Sequence, residues 1–178
     1  MAVLEANLRA IYIFKYMAFY NVGYGGTNSN DAVYLANNGI AMGYTDAYLE
    51  QTFHHEFSSI LFRKYPAALD TIAWKNINFP DFEYKDPESG VGAIRNHQSS
   101  QELDTALSSQ GFLTQYACSS LENDVNTMAQ NLFKPSPGFW ALAGRYPRIR
   151  KKLTLLVALY NTINTHFTEE YFRKLNPE

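Results

Sequence analysis

His55 and Glu56 stand side by side in "TFHHEFSSILFRKYP", Thr52 to Pro66. A histidine followed by a glutamate opens the pattern H-E-x-x-H. In that pattern a second histidine, about one helical turn on, points the same way, and the two imidazoles grip one zinc ion. The glutamate is offset and serves as general base for the metal-bound water. A third protein ligand comes from elsewhere and leaves one position open. This chain supplies the first half of the pattern and places Ser59 where the second histidine belongs. A neutral hydroxyl is a poor zinc ligand beside imidazole, thiolate or carboxylate. His54 does not stand in, because adjacent helical residues point about 100° apart. Two readings stay open: a metal site with an altered ligand set, or an amphipathic helix that carries "HE".

The helix itself follows from its neighbours. Thr45 is an N-cap residue and Asp46 favours the first turn. Leu49, Phe53, Phe57, Ile60 and Leu61 recur at three- and four-residue steps and predict one apolar stripe. Pro66 marks the far end. With Phe53 at 0° on a helical wheel, His55, Ser59 and Phe62 fall on the opposite side, at roughly 180–240°.

Upstream, Leu4, Leu8 and Ile11 have helical spacing, while "AIYIF" also serves as a strand. "GYGGTNSND", Gly23 to Asp31, reads as a loop of turn formers. In "AVYLANNGIAMGY" two apolar runs flank Asn37-Asn38-Gly39, which predicts a hairpin. From Trp74 to Ser100 the pattern is irregular, with "INFPDFEYKDPESGVG" extended. A short helix over Gln101–Ser108, an extended or turn segment "GFLTQYA" and a helix over Ser120–Phe133 follow. Two further helical patterns end the chain, carrying Ile149, Leu153, Leu156, Val157 and Tyr160, then Phe167, Tyr171, Phe172 and Leu175. The order predicts an α+β fold with a small sheet and helices on one side of it.

Composition narrows the function. A length of 178 residues with 46% hydrophobic and 18% charged residues predicts a single folded domain, 1–178. A net charge of −2 and a pI of about 6.1 argue against a dedicated nucleic-acid binder. The one basic run, "RYPRIRKK", reads as a solvated surface. Thirteen Tyr and twelve Phe suit either an aromatic-lined cleft or a core rich in rings. The single Cys118 builds no disulfide framework and is expected to be structural. No transmembrane span is expected, since Glu5, Arg9 and Lys15 interrupt the apolar N-terminal run, and the same charges do not fit a leader peptide. His97 and His166 are isolated. His97 lies in the irregular region and stays a candidate ligand.

Two segments together resemble a known family. "TFHHEFSSILFRKYP" looks like the central helix of a family of predicted zinc-binding metallopeptidases, whose members often occur as lipoproteins beside nutrient-import systems. "GFLTQYACSSLENDV", Gly111 to Val125, resembles a later segment of the same family. The resemblance spans roughly Tyr34 to Phe133. It implies a zincin-like fold in which a small sheet or hairpin packs on an active-site helix, with a mainly helical C-terminal half. It implies zinc, a peptide or protein substrate, and export. The implied roles are His55 as ligand and Glu56 as base. Asp124 or Glu122 would supply a carboxylate ligand, His97 would complete the set, and Tyr116 would stabilise the oxyanion. The chain departs from the family at Ser59, and at Asn123 and Thr127, where the family carries glutamates. Those departures leave an inactive relative that binds a peptide or protein as the alternative.

Overall fold

The computed structural model describes residues 2–19, 21–84 and 90–175. Both readings of the N-terminal run are realised in succession: α1 spans Ala2–Asn7 and β1 spans Ala10–Phe14. β1 pairs in parallel with β5, Ala32–Ala36, in a register that stacks Tyr12 on Tyr34 at 5.2 Å. Between them in sequence, β2 (Ala18–Phe19) and β3 (Val22–Gly23) form a separate ribbon. β4, Gly26–Asn28, runs antiparallel to β5 on its other side, so the sheet order is β1-β5-β4. β5 is central, and its Ala32, Val33, Leu35 and Ala36 are buried. β1 is an edge strand with Ile11, Tyr12, Ile13 and Phe14 exposed.

Two expectations fail here. The Gly23–Asp31 stretch is not only loop, because backbone pairing with β5 recruits Gly26, Thr27 and Asn28 into a strand. The hairpin around Asn37-Asn38-Gly39 does not form. Asn37 Oδ1 accepts from the Gly39 N–H at 3.0 Å, Gly39 and Gly43 adopt φ of 90° and 88°, and Ile40–Met42 curl into one 3-10 turn. The apolar run after Gly39 is only three residues long. The local Asn side-chain bond wins over strand pairing.

α2 spans Asp46–Lys64 with Thr45 Oγ1 accepting from the Tyr48 N–H, as its cap residue predicts. α3 (Thr71–Ile77) and α4 (Val91–Arg95) occupy part of the stretch read as irregular. Asp70 caps α3 through two backbone N–H groups. Residues 85–89 of the expected long loop lie outside the described residues. α5 is Thr105–Gln110, shifted from the expected 101–108 because Asp104 is the cap. Tyr116–Cys118 form a 3-10 turn, where "GFLTQYA" was expected to be extended or turn. α6, Leu121–Phe133, starts at its Ser120 cap. α7 (Phe139–Arg145), α8 (Pro147–Ile163) and α9 (Glu169–Leu175) complete the α+β fold.

α6 is the centre of the molecule. Every residue from Asn123 to Leu132 is buried. Val125, Met128, Ala129 and Leu132 join Ile60 and Leu61 of α2 and Leu153 and Leu156 of α8 in one core. α2 therefore has more than one stripe inside. His55, Phe57, Ser58, Ser59, Ile60 and Leu61 are all buried, because α6 on one side and strands β4 and β5 on another cover the helix. Truncating one of these core Ile or Leu residues to alanine would cost about 2–5 kcal/mol.

The basic run departs from its expected role at one residue. Arg145, Arg150 and Lys151 are exposed, but Lys152 is fully buried. Its Nζ donates to Asp124 Oδ2 at 2.5 Å and to the Gly111 carbonyl at 2.6 Å, and it lies 4.3 Å above the Phe112 ring. No helix among the described residues is long and apolar enough to cross a membrane.

Candidate functional site

A cleft opens between the Gly23–Asn28 segment and α2, with Tyr116 and the N-terminal half of α6 closing its far side. Its larger part holds about 240 Å³. His55, Glu56 and Tyr116 border both parts. The sequence-derived pair and the candidate oxyanion donor are thus brought together.

The glutamate is positioned from the sheet. Asn28 Nδ2 on β4 donates to Glu56 Oε2 at 2.6 Å, and Arg63, two turns along α2, donates to Asn28 Oδ1 and to the Ser29 carbonyl. β4 rests on the helix at Gly26, where a Cβ would sit 2.6 Å from Thr52 Cγ2 and 3.0 Å from Glu56. Only glycine permits that approach. Burial pushes the Glu56 carboxyl above its ordinary value, opposed by His55 and by the Asn28 hydrogen bond.

The histidine is positioned from α6. His55 Nδ1 pairs with Gln130 Oε1 at 2.8 Å. Gln130 Nε2 donates onward to Gln101 Oε1 at 3.3 Å, which fixes the amide oxygen towards the ring. An acceptor at Nδ1 places the imidazole proton there and leaves the lone pair on Nε2. The His55 and Tyr116 rings are stacked with centroids 5.9 Å apart. Gly90, at φ 96°, lies so close over Tyr116 and Asn123 that any side chain there would clash with both.

The position of the missing histidine is occupied by a different bond. Ser59 Oγ accepts from Asn126 Nδ2 at 2.6 Å, with both residues buried. Asn123, Asn126 and Gln130 repeat at spacings of three and four and share one face of α6. Sequence reasoning passed over Asn126 and Gln130 because amides are not zinc ligands. Their spacing was the available signal.

The other candidates are dispersed. Glu122 borders the smaller part of the cleft, but its Oε1 is paired with Arg63 at 3.1 Å. Asp124 is one residue, about 100°, off the cleft face of α6. Its Oδ2 accepts from Lys152, from Trp74 Nε1 at 2.8 Å and from the Tyr84 hydroxyl at 2.6 Å. It neutralises a buried cation in the core. Burial and the nearby Asp124 charge push the Tyr84 hydroxyl upward. His97 is exposed just beyond α4, at φ 55°, and does not border the cleft. Cys118 is half-buried with its thiol pushed up to about 12 by burial, which suits a structural residue.

Catalytic zinc needs three protein ligands drawn from imidazole, thiolate and carboxylate. Among the described residues no group of three or more His, Cys, Asp or Glu is placed to hold a metal ion. His55 offers one imidazole. Of the other groups at the motif positions and nearby, Glu56 is held by Asn28, Ser59 is a hydroxyl bonded to Asn126, and Glu122 is tied to Arg63. This donor set does not fit zinc.

No protein-family model and no curated protein matches the chain. Among solved structures, its fold is similar to the crystal structure of a "putative zinc-binding metallo-peptidase" from Bacteroides caccae ATCC 43185. The two share 20% identity with a TM-score of 0.59 over 93% of this chain. The chain spans 62% of that protein's length. At this identity the likeness establishes a shared fold.

Proposed function

We propose that this chain is a peptide- or protein-binding relative of the zincin-like metallopeptidases, in which the catalytic metal position has been rebuilt as a hydrogen-bonded, metal-free contact. The observation that carries the reading is the Ser59–Asn126 bond, which satisfies the second ligand position from inside the protein. The His55–Gln130 bond engages only Nδ1 of the first and leaves its Nε2 as an acceptor. What remains is a polar cleft bounded by one edge strand, β4, with acceptors at Glu56 and His55 Nε2.

The test uses purified protein. Its zinc content is measured with and without added zinc, and a mixed peptide library is assayed for both binding and cleavage. Binding without bound zinc and without cleavage is the expected result. Stoichiometric zinc with chelator-sensitive cleavage, lost in Glu56→Gln, would establish instead a zinc-dependent peptidase. That second reading draws on the positioned Glu56 carboxyl, as general base, and on Tyr116 beside His55 as oxyanion donor.

A further inference from the structure

The charges along the cleft do not balance. Glu56 and Glu122 are the carboxylates at its border, and Arg63 is the only Lys or Arg among the described residues there. The Arg63 guanidinium is engaged by Glu122 at 3.1 Å, by Asn28 Oδ1 and by the Ser29 carbonyl. Glu56 receives only the neutral Asn28 amide, through Oε2. Its carboxylate has no counter-ion of its own.

The unused hydrogen-bonding atoms beside it are acceptors. Among the described residues, neither Glu56 Oε1 nor His55 Nε2 has a hydrogen-bond partner. Both residues border both parts of the cleft, and neither atom is enclosed by protein. His55 is only 7% exposed, so its free nitrogen belongs to a side chain fixed from behind by Gln130. Asn123 borders the smaller part and donates its amide nitrogen to Ser119 Oγ at 2.9 Å, which leaves its Oδ1 to accept. A group that settles against Glu56 and His55 must therefore bring both protons and positive charge.

The choice of cation follows from what is already occupied. Zinc lacks its ligand set here. A guanidinium is a planar fork that matches both oxygens of a carboxylate, and Asn28 already holds Oε2. A primary ammonium is a compact charge with three donors. One donor serves Oε1 and another serves Nε2, with the Asn28 bond kept. The larger part of the cleft, at about 240 Å³, has room for the chain attached to it.

We propose that the cleft at Glu56 and His55 is a subsite for a primary ammonium group, carried by a bound peptide as its free N-terminus or as a lysine side chain. Glu56 Oε1 and His55 Nε2 are its acceptors. The proposal rests on the reading of the cleft as a metal-free peptide site.

The test is a titration of the full chain at neutral pH with a chelator present, followed by long-range proton–nitrogen NMR of the histidine rings. The probes are n-butylamine, n-butanol and four short glycine–serine peptide amides. The first peptide has a free N-terminus. The others are acetylated and carry a single lysine, norleucine or arginine. The expected result is a saturable shift of His55 Nε2 with n-butylamine and with the free-N-terminus or the lysine peptide. These should bind at least about tenfold tighter than n-butanol and the norleucine peptide. Whichever of the two ammonium peptides binds tighter identifies the source of the group. Glu56→Gln keeps the shape, removes the charge and should erase the tenfold difference. Norleucine peptide binding as tight as the ammonium peptides would overturn the proposal and leave the peptide-binding reading standing. So would tightest binding by the arginine peptide, or an undiminished difference in Glu56→Gln. A His55 shift with n-butylamine while no peptide binds would uphold the ammonium subsite and overturn the peptide-binding reading. No His55 shift with any probe would overturn the subsite.

Discussion

Asn126 on α6 donates its side-chain amide to Ser59 on α2 across 2.6 Å, at the place where a second metal-binding histidine would project. The two helices are joined there by a buried neutral bond. Ser59→Ala leaves the Asn126 amide without its partner, because its Oδ1 already has none. We expect a loss of about 1–3 kcal/mol, lowering the melting temperature by about 2–4 °C per kcal/mol. The double change Ser59→Ala with Asn126→Leu removes both polar groups and should recover much of that loss. Urea denaturation of the two single variants and the double variant measures the coupling, and strictly additive losses would show that the bond does not join the helices.

Zinc should leave stability unchanged. A metal bound only by the folded state, at a hundred times its dissociation constant, stabilises by about 2.7 kcal/mol. For a chain of this size that is about 5–10 °C. Differential scanning fluorimetry with micromolar zinc, and again with a chelator, should show no shift of that size. A rise within that range on adding zinc, reversed by chelator, would mean that a complete ligand set assembles.

His54 makes the protein sensitive to acid. Burial pushes its imidazole down to about 4. In the unfolded chain it titrates near the ordinary value of about 6.5. Between those values the unfolded state binds a proton that the folded state declines, so stability falls as pH drops through that window. The full effect is about 3 kcal/mol, and above the window it vanishes. Urea denaturation from neutral pH down to about 4 should show this slope, and His54→Phe should flatten it. An equal slope in the variant would place the sensitivity elsewhere.

Asp124 belongs to the core. Removing one partner of a buried ion pair costs about 3–5 kcal/mol, since the other charge stays behind. Asp124→Ala and Lys152→Met should each destabilise on that scale. Asp124→Leu combined with Lys152→Met should lose much less than the sum. Thermal unfolding of the set decides this. Peptide binding at the cleft, measured well below the melting temperature, should be unchanged in Lys152→Met.

The long helices were legible because their ends are written locally. Thr45 and Ser120 cap α2 and α6 where the side-chain chemistry says they should. The β4 strand was not, since Gly26, Thr27 and Asn28 have turn-forming character and acquire strand geometry only by pairing with β5. At the site, His55 and Glu56 announced themselves by type, and the structure puts both at the cleft. Asp124 did so too, yet about 100° of helical rotation turns it from the cleft towards Lys152. Lys152 looked like surface within a run of exposed cations. Only the three-dimensional placement of Asp124 makes its burial tolerable. Asn126 and Gln130 carried no signal of type, and their meaning lies wholly in what α2 presents to them.

The contact at Gly26 has a further meaning for the cleft. The strand lies on the helix with only hydrogen between them, so the span from Asn28 to Glu56 is gauged by an absent methyl group. Adding that methyl would act as a shim. It would lift the strand, lengthen its hold on the carboxylate and widen the mouth, while leaving every cleft-facing side chain chemically intact. Aperture and chemistry are therefore separately adjustable in this scaffold, the first at residue 26 and the second along α2 and α6.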